Sequence, residues 1–133
     1  MHQPAVYVEL VEDMSVVSLA TGTARTYVIV PKKYYGLGMN LDEVVACLRV
    51  RNATANVGIT TKAQWSFDAQ VWEDYVASSV ISQVTSDGDY RGKLDASDNL
   101  PPFIRLVIEV IATSGSAQVG ADVTAWGYYK FRV

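Results

Sequence analysis

Few residues of this chain have the types and spacing that chemistry needs. The one histidine, His2, stands at the very start of the sequence, and no triad with a histidine base can be assembled around it. The one cysteine, Cys47, shares a strand face with Arg49 and Arg51 but has no base beside it in the pattern, so it reads as a small strand residue and not as a nucleophile. A single thiol also closes no disulfide within the chain. Zinc takes three or four Cys, His or carboxylate ligands, which one Cys and one distant His do not supply. The loop carboxylates come as Asp87 with Asp89, and as Asp95 with Asp98 and Asn99. Neither group follows a calcium loop, and Asp and Asn favour turns for their own local hydrogen bonds. No feature marks a glycosidase pair of carboxylates. Gly36-Leu37-Gly38 lacks the third glycine and the helix of a phosphate loop, and Asn52-Ala53-Thr54 is a chance match to a glycosylation acceptor. The expectation is a protein without catalytic residues, cofactor or metal.

Two aromatic groups remain. Lys32-Lys33-Tyr34-Tyr35 is a basic-aromatic patch, fit to stack on a base or sugar or to anchor a partner protein. Its plainer reading is solvated lysines with rings packed inward. Trp126 and Tyr128 project to the same side of a strand as Lys130 and Arg132. Large aromatics beside an arginine bury much area at little entropy cost, as protein contacts require; the plainer reading is that something covers that face. The candidate contact residues are therefore Tyr34, Tyr35, Trp126, Tyr128 and Arg132. The formal charge of −3 and a pI near 5.0 argue against a nucleic-acid partner, whose affinity comes from clustered Lys and Arg. No stretch is long and apolar enough to cross a membrane. Met1-His2-Gln3-Pro4 is not the start of a leader, so synthesis in a cytoplasm is expected.

The elements that must position these residues are strands. From Phe103 to Ala112 the even positions Ile104, Leu106, Ile108, Val110 and Ala112 are apolar, with Arg105 and Glu109 between them. Thr113 to Ala117 is a turn, and the return strand buries Val119, Ala121, Val123, Ala125, Tyr129, Phe131 and Val133. Such period-two alternation predicts half-buried strands. The same signal predicts strands over 5–12, 16–20, 26–30 and 57–59. It places Trp65 and Phe67 on one face, predicts a return over 71–77, and adds a run over 80–85. Residues 44–51 read as a strand after one helical turn. Residues 91–99 read as a polar surface loop. Asp13 reads as a break, and Gly120 and Gly127 as bulges or bends in a central last strand. With 133 residues, the expectation is one all-β domain: a two-sheet antiparallel β-sandwich, jelly-roll-like, of about eight to ten strands.

The second half of the chain resembles small structural proteins of tailed bacteriophages. Gln64-Trp65-Ser66-Phe67-Asp68-Ala69-Gln70-Val71-Trp72 is similar to their Ser-x-Asp-Gly-x-x-Trp hairpin, with Ala69 where a glycine is usual. Leu100-Pro101-Pro102-Phe103-Ile104-Arg105-Leu106 is similar to their Pro-Phe-hydrophobic-Arg strand, and Ser114-Gly115-Ser116 to the turn before a final strand. The resemblance implies a virion component made in the host cytoplasm. It would be a head decoration or cement protein, binding the major capsid protein and its own copies, often as a homotrimer. Three tryptophans and eight tyrosines also suit a sugar-stacking platform, which leaves a carbohydrate-binding β-sandwich as the alternative. Coplanar rings flanked by Asp, Asn or Gln would favour the sugar; rings bordered by apolar atoms and Arg would favour the protein contact.

Overall fold

The computed structural model of the chain describes residues 5–18, 24–29, 41–75, 79–95, 103–115 and 118–132, with the backbone alone for 5–14, 18, 41, 131 and 132. The described residues form nine strands and no helix. They are β1 (Ala5–Ser18), β2 (Arg25–Val28), β3 (Leu41–Arg51), β4 (Val57–Ser66), β5 (Glu73–Asp74), β6 (Ile81–Val84), β7 (Gly88–Asp95), β8 (Phe103–Ala112) and β9 (Val119–Arg132). One sheet has the order β1-β9-β3-β7. The other has the order β2-β8-β4-β5, with β6 also on β4. All pairings are antiparallel. Successive strands pass from one sheet to the other, except that β5 and β6 follow β4 in its own sheet and share one of its edges. That is jelly-roll connectivity, with β5 and β6 filling a single strand position.

The two sheets bury their facing sides in one core. The first sheet contributes Val44, Leu48, Val50, Val123, Ala125 and Tyr129, and the second Ile59, Ile104, Leu106, Ile108 and Val110. Removing each Val, Leu or Ile side chain among them from water contributes about 1.5–3 kcal/mol, and their alternation is what fixes the register, since a one-residue slip would turn every one of them outward. The last strand is central, as expected, between β1 and β3.

Several expectations are corrected. Asp13 does not break β1; it sits opposite Thr124 in an unbroken register. No helical turn precedes β3, which starts at Leu41. Residues 88–95 are a strand, β7, and not a surface loop. The return after the hairpin shrinks to Glu73–Asp74. Strands β8 and β9 belong to different sheets, so the turn between them is a crossover and not a hairpin. Gly127 makes no bulge. It is there because a Cβ would come within 2.6 Å of the Val45 carbonyl oxygen on β3, so Trp126 and Tyr128 keep one face.

Candidate functional site

The outward side of the first sheet carries the predicted aromatic pair. Along β9 the inward residues Val119, Ala121, Val123, Ala125 and Tyr129 are buried, while Thr124, Trp126, Tyr128 and Lys130 between them are half-buried on the other face. The ladder sets Trp126 opposite Cys47 of β3 and Val11 of β1, and Tyr128 opposite Val45 and Glu9. On this face Trp126 and Cys47, and Tyr128 and Val45, are cross-strand side-chain neighbours. The Arg49 guanidinium lies 5.7 Å from the centre of the Trp126 ring, a cation–π distance. Cys47, Arg49, Asp89, Tyr90, Arg91 and Trp126 line a depression of about 300 Å³.

Salt bridges frame this surface. Arg49 Nε lies 3.2 Å and Arg51 3.1 Å from Asp89 Oδ1. Those contacts, the hydrogen bond from Arg49 first and the charge of Arg51 after it, hold the Asp89 carboxyl below its ordinary value. Lys93 pairs with Glu43 at 3.5 Å and Lys130 with Asp42 at 3.4 Å. Exposed pairs of this kind add little stability, about 0–1 kcal/mol; they fix where charge stands around the rings. Arg91 is exposed and makes no ion pair among the described residues. Trp126 has a guanidinium, that of Arg49, at its ring and the buried Cys47 opposite it. The carboxylate that lines the same depression, Asp89, is held by two arginines.

The other sequence candidates fall elsewhere. Tyr34 and Tyr35 lie outside the described residues, as do His2, Asp98 and Asn99. Arg132 ends β9 opposite Ala5, and its backbone alone is described. Cys47 is 5% exposed, on the floor of the depression. Asp87 accepts hydrogen bonds from the Asn52 and Ala53 backbone N–H groups at 3.2 and 2.8 Å, which is turn chemistry.

A second feature escaped the sequence reading. Strand β4 ends at Ser66, so Phe67 does not continue on the face of Trp65. Trp65 is half-buried, edge-on to Tyr75 at 5.4 Å, whereas Phe67 is 80% exposed and Val71 68%. The loop that presents them is tightly held. Ser66 Oγ accepts from the N–H groups of Asp68 and Ala69 at 3.2 and 2.9 Å and donates to Asp68 Oδ1 at 3.0 Å. Asp68 Oδ1 in turn accepts from the N–H groups of Gln70 and Val71, both at 2.9 Å. These bonds favour the ionised carboxyl, so the Asp68 pKa lies below its ordinary value, chiefly through Val71 and Gln70 and then Ser66. Ala69 has φ of 61°, the left-handed conformation in which glycine sits without strain. At the far end of the loop the Arg105 guanidinium lies 4.2 Å from the Trp72 ring centre. It also donates twice to Gln64 Oε1, at 3.0 and 2.8 Å. Two of the three sequence segments that carry the phage resemblance thus meet at Trp72 and Arg105.

No family model matches the sequence, and no curated protein matches it either. Among solved structures the chain is similar to FlhE, with a TM-score of 0.56 at 10% identity, over 97% of this chain and 98% of that one. It is similar to a chain of infectious bursal disease virus, Gt strain, with a TM-score of 0.65 at 11% identity, over 96% of this chain and 32% of that one. It is also similar to VP2 of that virus in a subviral particle, with a TM-score of 0.64 at 11% identity, over 96% of this chain and 33% of that one. The chain spans about a third of the length of those viral chains. At such identities the likeness shows a shared fold, the two-sheet β-sandwich.

Proposed function

We propose that this chain is a structural protein of a virus particle, a head decoration or cement protein of a tailed phage, with no catalytic step of its own. It binds the major capsid protein and further copies of itself through the outward face of its first sheet. The observation that carries the reading is the half-buried pair Trp126 and Tyr128 on the central strand of that sheet, with Arg49 against the indole. Rigid aromatics beside arginine are the groups that dominate protein interfaces. Two further points support it. The strand order is that of a jelly roll, an architecture of viral capsid domains as well as lectins, and 96% of the chain matches a part of VP2 in fold. Fold alone does not give function, and the aromatic face supports the capsid use over the lectin one. A shell under internal pressure gains from added contact area across its subunit seams, and a cyclic homotrimer would present one such face per copy.

The test is co-sedimentation of the purified chain with shells of the major capsid protein that lack it. The wild type is expected to pellet with the shells. Tyr128→Ala is expected to weaken binding by roughly 30-fold, the loss of an aromatic anchor of about 2 kcal/mol. Absence of wild-type binding, or capture of a defined sugar on a glycan array that Trp126→Ala abolishes, would overturn the reading.

A further inference from the structure

We infer that the 66–72 loop of one copy seats in the depression around Trp126 of the next, so that the chain joins to itself head to tail. This deepens the structural reading above and rests on it. Phe67 and Val71 are the large hydrophobic side chains most exposed among the described residues, and they stand together at the tip of one loop. An exposed phenyl ring is held out at a cost, and here the loop is fixed in place before any partner arrives, by the Ser66 and Asp68 hydrogen bonds. A knob ordered in advance loses little entropy on binding. Its surroundings are acidic. Asp68 is exposed, and Glu73 is exposed with no ion pair or hydrogen bond among the described residues. The knob therefore fits a hollow with an apolar floor and a basic rim.

This chain has such a hollow. The depression of about 300 Å³ is floored by Trp126 and Cys47, rimmed by Arg49 with its partner Asp89 and by Arg91, which makes no ion pair among the described residues, and roomier than a phenyl ring. The charges left over are opposite: Glu73 and Asp68 stand on the knob, while at the hollow Arg49 is shared with Asp89 and Arg91 is a cation with no ion pair among the described residues. The knob follows the end of β4 in the second sheet, while the hollow lies on the outward face of the first. One patch meets a different patch, which makes the contact heterologous. It closes into a ring or runs on as a filament, and a ring of three is the form that the homotrimer of the structural reading requires. Tyr128 does not line the hollow and is left to the shell.

The test is sedimentation velocity of the full chain at matched concentrations, with shell co-sedimentation run beside it. Glu73→Arg and Arg91→Glu are each expected to weaken self-association by about tenfold, because each sets like charges face to face. The double variant is expected to restore it, which a merely misfolded single variant could not do. Phe67→Ser is expected to abolish association while its unfolding midpoint stays near the wild type. A wild type that is monomeric at every concentration overturns the contact. So do single variants that associate normally, or a double variant no better than the singles. Binding to neutral or anionic lipid vesicles that Phe67→Ser removes would also overturn it, assigning the tip to a membrane surface. If shells still take up the wild type and reject Tyr128→Ala while the charge swaps change nothing, the head-to-tail contact fails and the structural reading stands. If the wild type neither associates nor binds shells, both fail.

Discussion

Replacing Ala69 with glycine should make this protein more stable, against the usual sense of an alanine-to-glycine change. Ala69 holds φ at 61°, where a Cβ crowds the carbonyl oxygen and costs about 1–2 kcal/mol. Glycine removes that cost but gives the unfolded chain more freedom, which takes back about 0.4–1 kcal/mol. The difference is a net gain of about 0.8 kcal/mol from those two terms. With a urea slope of about 1.5 kcal/mol/M, the midpoint should rise by about 0.5 M at unchanged slope. The melting temperature should rise by about 2–4 °C. The gain depends on the loop keeping its shape, and the Ser66 and Asp68 hydrogen bonds hold it there. Urea unfolding followed by tryptophan fluorescence measures it directly. An unchanged or lower midpoint for Ala69→Gly would refute the reasoning, because it would mean that the left-handed torsion carries no strain. The position is also the one at which the phage-like hairpin ordinarily has glycine, so the variant moves this chain toward that pattern.

Two further outcomes are expected. The hydrogen bonds from Val71, Gln70 and Ser66 depress the Asp68 pKa below its ordinary 3.8, so the stability they confer is fully present above that value and is lost as pH falls through the folded-state value. Urea midpoints taken from about pH 5 down to about pH 2 should therefore fall less steeply for Asp68→Asn than for the wild type; parallel curves would contradict it. Thr61, buried at 1% exposure, has a side-chain oxygen with no hydrogen-bond partner among the described residues. Replacing its hydroxyl by a methyl removes an unsatisfied buried group without changing the shape, so Thr61→Val should raise stability by about 1–2 kcal/mol in the same urea assay.

The parts of the fold legible in the sequence were those where alternation is strong and one side is wet. The faces of β8 and β9 follow from it, and so does the outward placing of Trp126 and Tyr128. What escaped did so for physical reasons. Strand β7 alternates Gly88, Tyr90, Gly92 and Leu94 with charged residues, and an edge strand with so few aliphatics looks like a polar loop. A single carboxylate such as Asp13 does not interrupt a strand with a solvated face. Whether a turn makes a hairpin or a crossover depends on which sheet buries the next apolar set, and the turn residues over 113–117 do not encode that. Phe67 was read as continuing the face of Trp65 because period-two counting does not say where a strand stops. The hydrogen bonds of Ser66 end it, and their signal, a serine two residues before an aspartate, was present in the hairpin motif.

The two surfaces proposed for partners are held still by different means, and that difference bears on what each can do. Trp126 stands on a strand paired on both sides, by β1 and β3, over the buried inward row of β9. Its position is set by the ladder and the core together, so a change there that leaves the inward row alone alters the surface and spares the fold. Phe67 and Val71 stand on a loop that no sheet ladder pins; side-chain bonds from Ser66 and Asp68 to its own backbone do that instead. Such a loop opens at a lower free energy than the core does. A flat, immobile ring suits a contact that adds area across a seam. An ordered knob whose loop can still give way suits one that must find its hollow while subunits settle into place. Placing the knob and the hollow on opposite sheets keeps one molecule from satisfying itself, which leaves both available to a neighbour.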